Sequence, residues 1–303
     1  MPDNILESTQ PRTYERAETY YNREMVPYLS PLLVARQLFR KVIEVPSGKT
    51  AMYFDRVKDM SDAIVTFSIP DDTNKADFVG FENETVNLAY VSKTWKIAQD
   101  KLRAFYSEGK DLPTVGMEAA VKKIGKADNQ MLIQSWAPNG ATAKINGLFA
   151  AAGNTLLTSY SFGTPKNPTA AVSDGVTMAL EDDITGVNWN LVVGNAAFGQ
   201  ARKSRLTASD VKEWPDIIDA LNPTPNQPHG TIIMSKNIAD NKGLLVPVDP
   251  SGLYISLLEG MAPQNVIGTD SKLGRLSPVY GTTLELVGPW IKEPNSLVVL
   301  NAI

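Results

Sequence analysis

The longest amphipathic pattern in the chain covers residues 111–136, DLPTVGMEAAVKKIGKADNQMLIQSW. Its apolar residues recur at spacings of three and four, which places them on one face of a helix. These residues are Met117, Ala120, Val121, Ile124, Ala127, Met131 and Leu132, whereas Lys122, Lys123, Lys126 and Asn129 fall on the other faces. The pattern predicts one long helix with a single apolar stripe.

The ends of this helix are marked by residues with known end preferences. Asp111 can cap the first turn, and Pro113 suits that turn because its missing N–H is not needed there. Pro138 and Gly140 predict that the helix stops after Trp136. At ~1.5 Å per residue, the helix would be roughly 35 Å long.

Shorter patterns on both sides predict strands and further helical segments, the first of them in the run from Pro31 that leads into the strand at 41–45. Residues 97–106 have helical periodicity, and so do residues 210–221. Residues 159–175 are rich in Ser, Thr, Pro and Gly, so we expect a loop there that forms an internal boundary. Segments rich in Val, Ile, Tyr and Phe predict strands at 41–45, 50–56, 64–69, 85–95, 190–193, 230–235, 244–248, 253–258 and within 282–303.

Composition narrows the possible classes of protein. A chain of 303 residues that is 43% hydrophobic can bury enough surface for one large or two medium domains. Cysteine is absent, which excludes disulfides, thiolate catalysis and cysteine-based zinc sites. A net charge of -4 argues against a dedicated nucleic-acid binder. No apolar run approaches ~18 residues and the first residues are polar, so we expect neither a membrane span nor a secretion signal.

Residues 46–84 form an unusually polar segment. It holds four basic and eight acidic residues and few aliphatic ones, so it cannot build a core of its own. A two-stranded excursion of this kind is marginally stable alone and is usually stabilised by a surface on which it lies.

Candidate catalytic and metal-binding groups give weak signals. His229 is the only histidine and lies in a predicted loop, where a lone histidine is usually a surface residue. Residues 47–50, SGKT, match the end of a phosphate-binding loop, but Ile43 stands where its first glycine is required. Glu181, Asp182 and Asp183 lack the spaced ligands of a calcium loop. We therefore predict no catalytic residue, no metal site and no cofactor.

Four stretches, taken in order, carry a resemblance to a known family. They are SPLLVARQLFRKVIEVPSGKTAMYF, LAYVSKTWKIAQDKLRAF, AAVKKIGKADNQMLIQSW running to KINGLFAAAG, and VDPSGLYISLLEG running to LVVLNAI. Their order resembles that of the HK97-fold major capsid proteins of tailed viruses and of the related encapsulin shells. The KADNQMLIQSW to INGLF segment is the most specific part of the resemblance.

The resemblance implies an α+β fold with four parts. Residues 1–45 would be an N-terminal arm, 46–84 an extended hairpin called the E-loop, 85–170 with 280–303 a peripheral domain containing the long spine helix, and 171–279 an axial domain. The sequence departs from some members of that family in showing no long N-terminal scaffolding domain, so we expect scaffolding, if used, to come from a separate protein.

The resemblance also implies a function in assembly. The chain would form hexamers and pentamers of an icosahedral virion capsid, assembled in the host cytoplasm around double-stranded DNA that it contacts loosely and without sequence specificity. Portal, scaffolding or decoration proteins are the further partners of such capsids. The alternatives are an encapsulin-type shell around a cargo enzyme, and a metal-dependent α/β enzyme that uses the acidic cluster at 181–183.

Charge distribution suggests where neighbouring subunits would meet. Residues 46–84 carry a net charge of four negative, and residues 85–126, with eight basic and four acidic residues, carry four positive. If the hairpin of one subunit lies across the spine helix of the next, as the resemblance implies, opposite charges fix the register. The predicted contacts join Asp71, Asp72 and Asp77 to Lys122, Lys123 and Lys126.

Overall fold

The computed structural model describes residues 34–46, 48–57, 81–97, 112–137, 145–157, 160–205, 211–269 and 279–301. Within these ranges the helices are α1 (Val34–Leu38), α2 (Leu112–Ile133), α3 (Asn167–Glu181), α4 (Asn195–Lys203) and α5 (Trp214–Leu221), with a 3-10 turn at Pro294–Ser296. The strands are β1 (Val42–Glu44), β2 (Ala51–Val57), β3 (Phe81–Asn87), β4 (Ala89–Ile97), β5 (Ser135–Trp136), β6 (Ile145–Asn146), β7 (Asn154–Leu156), β8 (Asn188–Val193), β9 (Ile232–Met234), β10 (Lys242–Val248), β11 (Ile255–Thr269), β12 (Val279–Ile291) and β13 (Val298–Asn301).

Two mixed sheets organise the described part of the chain, which has the predicted α+β character. One has the strand order β1-β11-β12-β4, and the other has the order β7-β13-β10-β8-β9. Two further pairs, β2 with β3 and β5 with β6, are separate and antiparallel. No helix in the described ranges has the length and apolar character needed to cross a membrane.

The four-stranded sheet has helix α2 on one face and the β2–β3 pair on the other. On the α2 side, the indole ring of Trp95 from β4 lies against Gly116 of α2. On the other side, Val86 and Leu88 pack with Leu258 and Leu286 from β11 and β12. The base of the polar excursion is therefore stabilised by the sheet, in agreement with its lack of a core of its own.

The five-stranded sheet contributes buried residues from β8, β10 and β13 to the main apolar core. Strand β8 is buried along its whole length, as expected for a central strand covered on both faces. Helix α3 packs closely on this sheet, because a side chain at Gly175 would collide with Leu245 and Leu300. Buried residues of α2 such as Leu132 belong to the same apolar cluster as Trp189 of β8, so the core is continuous between the two sheets.

The long helix is confirmed, with two corrections. It ends at Ile133 and not after Trp136, because Ser135 and Trp136 pair with Asn146 and Ile145 in a short antiparallel ladder. Ala127 is exposed and not part of the apolar stripe, and the charged Asp128 is buried instead. The other six residues of the predicted stripe are buried, and Lys122, Lys123 and Lys126 are exposed.

The loop prediction for residues 159–175 is wrong from residue 167 onward, where α3 begins. Pro168 lies in the first turn, where proline is favoured, and Ala171, Val172, Val176 and Ala179 form a buried stripe at helical spacing. The buried carboxylate of Glu213 provides hydrogen-bond acceptors for free N–H groups at the N-terminus of this helix. It accepts hydrogen bonds from the backbone N–H groups of Lys166 and Thr169, each at 3.0 Å.

Strand β11 is longer than predicted and begins later. Residues 249–254 wind around the Asp249 carboxylate, which accepts hydrogen bonds from the backbone N–H groups of Gly252 at 2.9 Å and Tyr254 at 2.6 Å. The ladder therefore starts at Ile255 and continues to Thr269. Strand β11 pairs with β1 and β12, and β13 pairs with β10. Both sheets therefore contain strands from more than one of the predicted domains. The division into domains stays a prediction.

The remaining predicted elements differ mainly at their ends. The segment predicted at 85–95 belongs to two strands, β3 and β4, separated at Leu88. Helix α5 starts at Trp214, after an isolated bridge that joins Lys212 to Arg205. The strand predicted at 64–69 and residues 98–106 of the predicted short helix lie outside the described ranges.

Candidate functional site

One arginine connects three parts of the fold. Arg36 of α1 donates its Nε–H to Asp128 Oδ2 of α2 at 2.9 Å. Its Nη1 donates to Glu259 Oε1 of β11 at 2.7 Å, and its Nη2 donates to Glu285 Oε2 of β12 at 2.6 Å. We call these four residues the Arg36 junction.

A neighbouring hydrogen bond strengthens the attachment of α1. The backbone N–H of Ala35 donates to Asn129 Oδ1 at 2.9 Å, so the side chain of Asn129 caps one of the free donors of α1. Asp128 and Asn129 are adjacent, and both hold α1 on α2. They lie in the KADNQMLIQSW stretch, the most specific part of the sequence resemblance.

The junction is buried and has more negative than positive groups. The side chains of Asp128 and Glu285 are 0% exposed, and those of Arg36 and Glu259 are 15% and 22% exposed. Asp128 Oδ1 and Glu285 Oε1 are buried atoms without a hydrogen-bond partner among the described residues. One guanidinium thus faces three carboxyl groups, two of which have no access to water.

This arrangement changes the proton affinities of its members. Burial and, after it, the Asp128 carboxylate raise the pKa of Glu285 to about 8, although Arg36 opposes the rise. Burial also raises the pKa of Asp128, although Arg36 pulls it down. Burial disfavours the Arg36 cation, but Asp128 and Glu285 outweigh that effect and raise its pKa. Arg36 therefore stays charged, and the raised pKa values of Asp128 and Glu285 favour the protonated form of these carboxyl groups.

The sequence analysis does not predict the Arg36 junction. The available signal was a single charged residue within each of several apolar patterns. Glu285 lies inside TTLELVG, Glu259 lies inside SLLEG, and Asp128 lies between apolar residues of the α2 pattern. A charged residue at a buried position needs a partner, but the sequence does not show which partner the fold supplies.

The β2–β3 pair presents one buried and one exposed face. Phe54 stacks on Trp290 of β12 with ring centroids 3.7 Å apart, which anchors the inner face. The outer face carries Tyr53, which is 72% exposed, and Phe81, which is 68% exposed. Two exposed aromatic residues on one strand pair are an available surface for association.

The predicted intersubunit residues are only partly described by the structure. Lys122, Lys123 and Lys126 are exposed on α2, as a contact with another subunit requires. Asp71, Asp72 and Asp77 lie outside the described residues, so the structure does not test their pairing with these lysines.

Where the structure describes them, the weak catalytic candidates lie in separate, exposed parts of the chain. His229 is exposed in the loop between α5 and β9. Glu181, Asp182 and Asp183 are exposed where α3 ends, and Asp182 Oδ2 accepts a hydrogen bond from Asn154 Nδ2 at 2.7 Å. Lys49 and Thr50 are exposed in the connection between β1 and β2, whereas Ser47 is not described. Among the described residues, no group of three or more His, Asp or Glu side chains is arranged to hold a metal ion.

Comparison with known proteins gives matches in structure but not in sequence. No protein-family model and no curated protein sequence matches the chain. Among solved structures, the capsid of Myoviridae phage XM1 matches with a TM-score of 0.66 and 13% identity, over 89% of this chain and 92% of that chain. A virus-like particle from Pyrococcus furiosus matches with a TM-score of 0.56 and 15% identity, over 95% and 98% of the two chains.

A third match is the capsid of a native GTA particle, with a TM-score of 0.57 and 16% identity over 89% of this chain and 90% of that chain. All three matches cover nearly the full length of both proteins, so they compare whole architectures and not a shared fragment. The resemblance found in the sequence is confirmed at the level of architecture: the chain has the HK97 fold of viral capsid and particle-shell proteins.

Proposed function

We propose that this protein is a structural shell protein, the major capsid protein of a tailed virus, which assembles with copies of itself around double-stranded DNA. The observation that supports this most strongly is the near full-length structural match to capsid subunits, including that of phage XM1 at a TM-score of 0.66. HK97-fold shell proteins are structural proteins and not enzymes, which agrees with the weak catalytic signals in the sequence.

The surface of the β2–β3 pair supports self-association. Its inner face is held on the four-stranded sheet by the stacking of Phe54 on Trp290, while Tyr53 and Phe81 remain exposed on the outer face. We assign residues 46–84 as the E-loop and α2 as the spine helix. In a shell, the exposed aromatic residues would be covered by another subunit, which explains why an otherwise polar strand pair retains them.

In this proposal the parts follow the division implied by the family resemblance. Residues 1–45 are the N-terminal arm, 85–170 with 280–303 the peripheral domain, and 171–279 the axial domain. Hexamers and pentamers form the closed shell of a virion that is assembled in the host cytoplasm. Contact with packaged DNA is loose, since the chain is acidic overall with a net charge of -4.

An encapsulin-type shell around a cargo enzyme is the second candidate. It is supported by the match to the Pyrococcus furiosus virus-like particle, which covers 95% of this chain and 98% of that chain. Both candidates share the fold and predict closed particles, so they differ in contents and not in architecture.

Two measurements test these proposals in sequence. The full chain is expressed alone and examined by light scattering and electron microscopy. Closed particles support a shell, and a chain that stays monomeric at high concentration contradicts it. Particles isolated from the cells that naturally produce them are then treated with nuclease. Protected double-stranded DNA supports the viral capsid, whereas one abundant internal protein without DNA supports the cargo shell.

A further inference from the structure

We propose that the Arg36 junction is a proton-dependent latch, which holds α1 on α2 and the β11–β12 strands while the junction retains a proton and loosens when all three carboxyl groups are ionised. The proposal concerns the single folded chain, so it does not depend on the proposed shell function.

The first step of the argument is the balance of charge. If every group were ionised, Arg36 would face Asp128, Glu259 and Glu285 at 2.6 to 2.9 Å, leaving two uncompensated negative charges. Asp128 and Glu285 are 0% exposed, so water cannot stabilise the excess. Two like charges in one buried site cannot both ionise cheaply, and binding a proton removes one of them.

Among the described residues, the surrounding elements supply no second cation. In the described chain, Arg36 provides every ion pair made by the three carboxyl groups. Strand β1 brings Glu44 into register with Glu259, but Glu44 is exposed and of the same sign. Strand β4 places the apolar Val91 opposite Glu285. On α2, Lys126 is exposed.

The positions of the unpaired atoms agree with a bound proton. Asp128 Oδ1 and Glu285 Oε1 are both buried and accept no hydrogen bond from described residues. A buried ionised oxygen without a donor is costly, whereas a protonated carboxyl group carries no charge that needs one. Each carboxyl group still has its other oxygen available to accept from Arg36.

Helix α1 is the part that responds to the loss of this proton. It has five residues, too few for a helix to be stable without tertiary contacts. The apolar contacts of Ala35 and Leu38 hold it in place, together with the Arg36 bonds and the Ala35–Asn129 bond. Ionisation of the whole junction requires water to enter, and α1 is the shortest of the four elements that carry its residues.

The direction of the pH effect follows from linkage. The pKa of Glu285 is raised from 4.5 to about 8 in the folded chain. The associated stabilisation is therefore complete below pH 4.5 and is lost as the pH rises through about 8. Over the two units from pH 7 to pH 9, the opening equilibrium of α1 should increase roughly tenfold.

Amide hydrogen exchange of the full chain tests the latch. Protection of residues 34–38 is measured at pH 7 and pH 9, corrected for the intrinsic pH dependence of exchange, and compared with β8 as an internal reference. The parent should show about a tenfold loss of protection confined to α1. Glu285→Gln keeps an acceptor for Arg36 but cannot ionise, so its protection should stay constant, while Glu44→Gln should behave like the parent.

A second variant keeps the test decisive if Glu285→Gln does not fold. Glu259→Gln removes a charge that raises the pKa of Glu285, so the loss of protection should level off at lower pH and be smaller between pH 7 and pH 9 than in the parent. Constant protection of α1 in the parent between pH 7 and pH 9 would overturn the proposal. So would a Glu285→Gln variant that keeps the pH dependence of the parent, or a Glu259→Gln variant whose transition does not move. Light scattering on the same samples reports particle formation separately.

Discussion

The indole ring of Trp95 occupies the space that a side chain at residue 281 would need. A β-carbon on Gly281 of β12 would lie 2.1 Å from Cζ2 of Trp95, and one on Gly116 of α2 would lie 3.1 Å from Cε3 of the same ring. A single tryptophan from β4 thus fills the gap between two glycines, one on the adjacent strand and one on the helix. The Trp95 ring therefore lies between α2 and β12, and the close packing of the helix on the sheet requires glycine at both positions.

Gly281→Ala should therefore destabilise the chain by about 3 kcal/mol, because the ring cannot move without disturbing α2. Gly199→Ala is the matched control, since Gly199 lies inside α4 with nothing within 4 Å of the added carbon. Removing that glycine from a helix should stabilise the chain by up to about 1 kcal/mol. Urea unfolding measures both, and equal stability of the two variants would contradict the role given to Trp95.

A second prediction concerns the buried face of α2. Ile124 is 2% exposed and belongs to the apolar core cluster, so Ile124→Asp places a charge in apolar surroundings and should cost about 3 to 5 kcal/mol or prevent folding. Lys123→Asp introduces the same side chain at the adjacent exposed position and should change stability by less than about 1 kcal/mol. Thermal unfolding distinguishes them, and a soluble, fully stable Ile124→Asp protein would show that the helix face is assigned wrongly.

The third prediction is a loss of stability in acid through Glu213. Burial alone would raise the pKa of Glu213, but hydrogen bonds from Ser204, Thr169 and Lys166 outweigh it and lower the pKa below its ordinary value of 4.5. The stabilisation is present above that value and is lost as the pH falls through the lower pKa of the folded state.

Glu213→Gln should remove this acid dependence and destabilise the chain at pH 7 by about 1 to 3 kcal/mol, because one acceptor oxygen becomes an amide donor facing other donors. Asp219→Asn, exposed on the same helix α5, is the control and should resemble the parent. Urea unfolding between pH 3 and pH 7 provides the measurement. A variant that loses stability in acid as steeply as the parent would rule out this function for Glu213.

The parts of the fold that sequence predicted well are those set by periodicity. Six of the seven residues assigned to the α2 stripe are buried, and the sequence pattern locates β8 and β10 to within two residues at each end. Periodicity reports burial because every third or fourth residue of a helix, and neighbouring residues of a central strand, must face apolar surroundings. It does not report pairing between distant segments.

The failures have the same physical origin. The Pro, Ser and Gly residues of 167–175 predict a loop, whereas Pro168 lies in the first turn of a helix. The N–H of Thr169 in that turn is bound by Glu213, which lies 44 positions further along the chain. Ser135 and Trp136 leave the helix because a partner strand is available at residues 145 and 146. The Arg36 junction joins residues up to 249 positions apart, so only the folded chain reveals it.

The last prediction tests the charge contact between subunits. Lys122, Lys123 and Lys126 are exposed on α2, as the sequence hypothesis requires, and residues 46–84 carry four more negative than positive charges. If the hairpin of one subunit lies across α2 of the next, each exposed pair contributes only about 0 to 1 kcal/mol and is screened beyond roughly 8 Å at physiological salt. A closed shell repeats the contact many times, so a small effect per subunit becomes measurable.

Replacing Asp71, Asp72 and Asp77 together by lysine should therefore weaken assembly at low salt, where light scattering should rise more slowly than for the parent. Replacing Lys122, Lys123 and Lys126 by glutamate in the same chain should restore part of the rate, because the charges again have opposite signs. Reversing Glu181, Asp182 and Asp183 instead is the control for net charge, since these exposed residues end α3 and belong to neither surface. Equal assembly of parent and hairpin variant at every ionic strength would leave the hairpin held by apolar contacts through residues such as Tyr53 and Phe81, and not by charge.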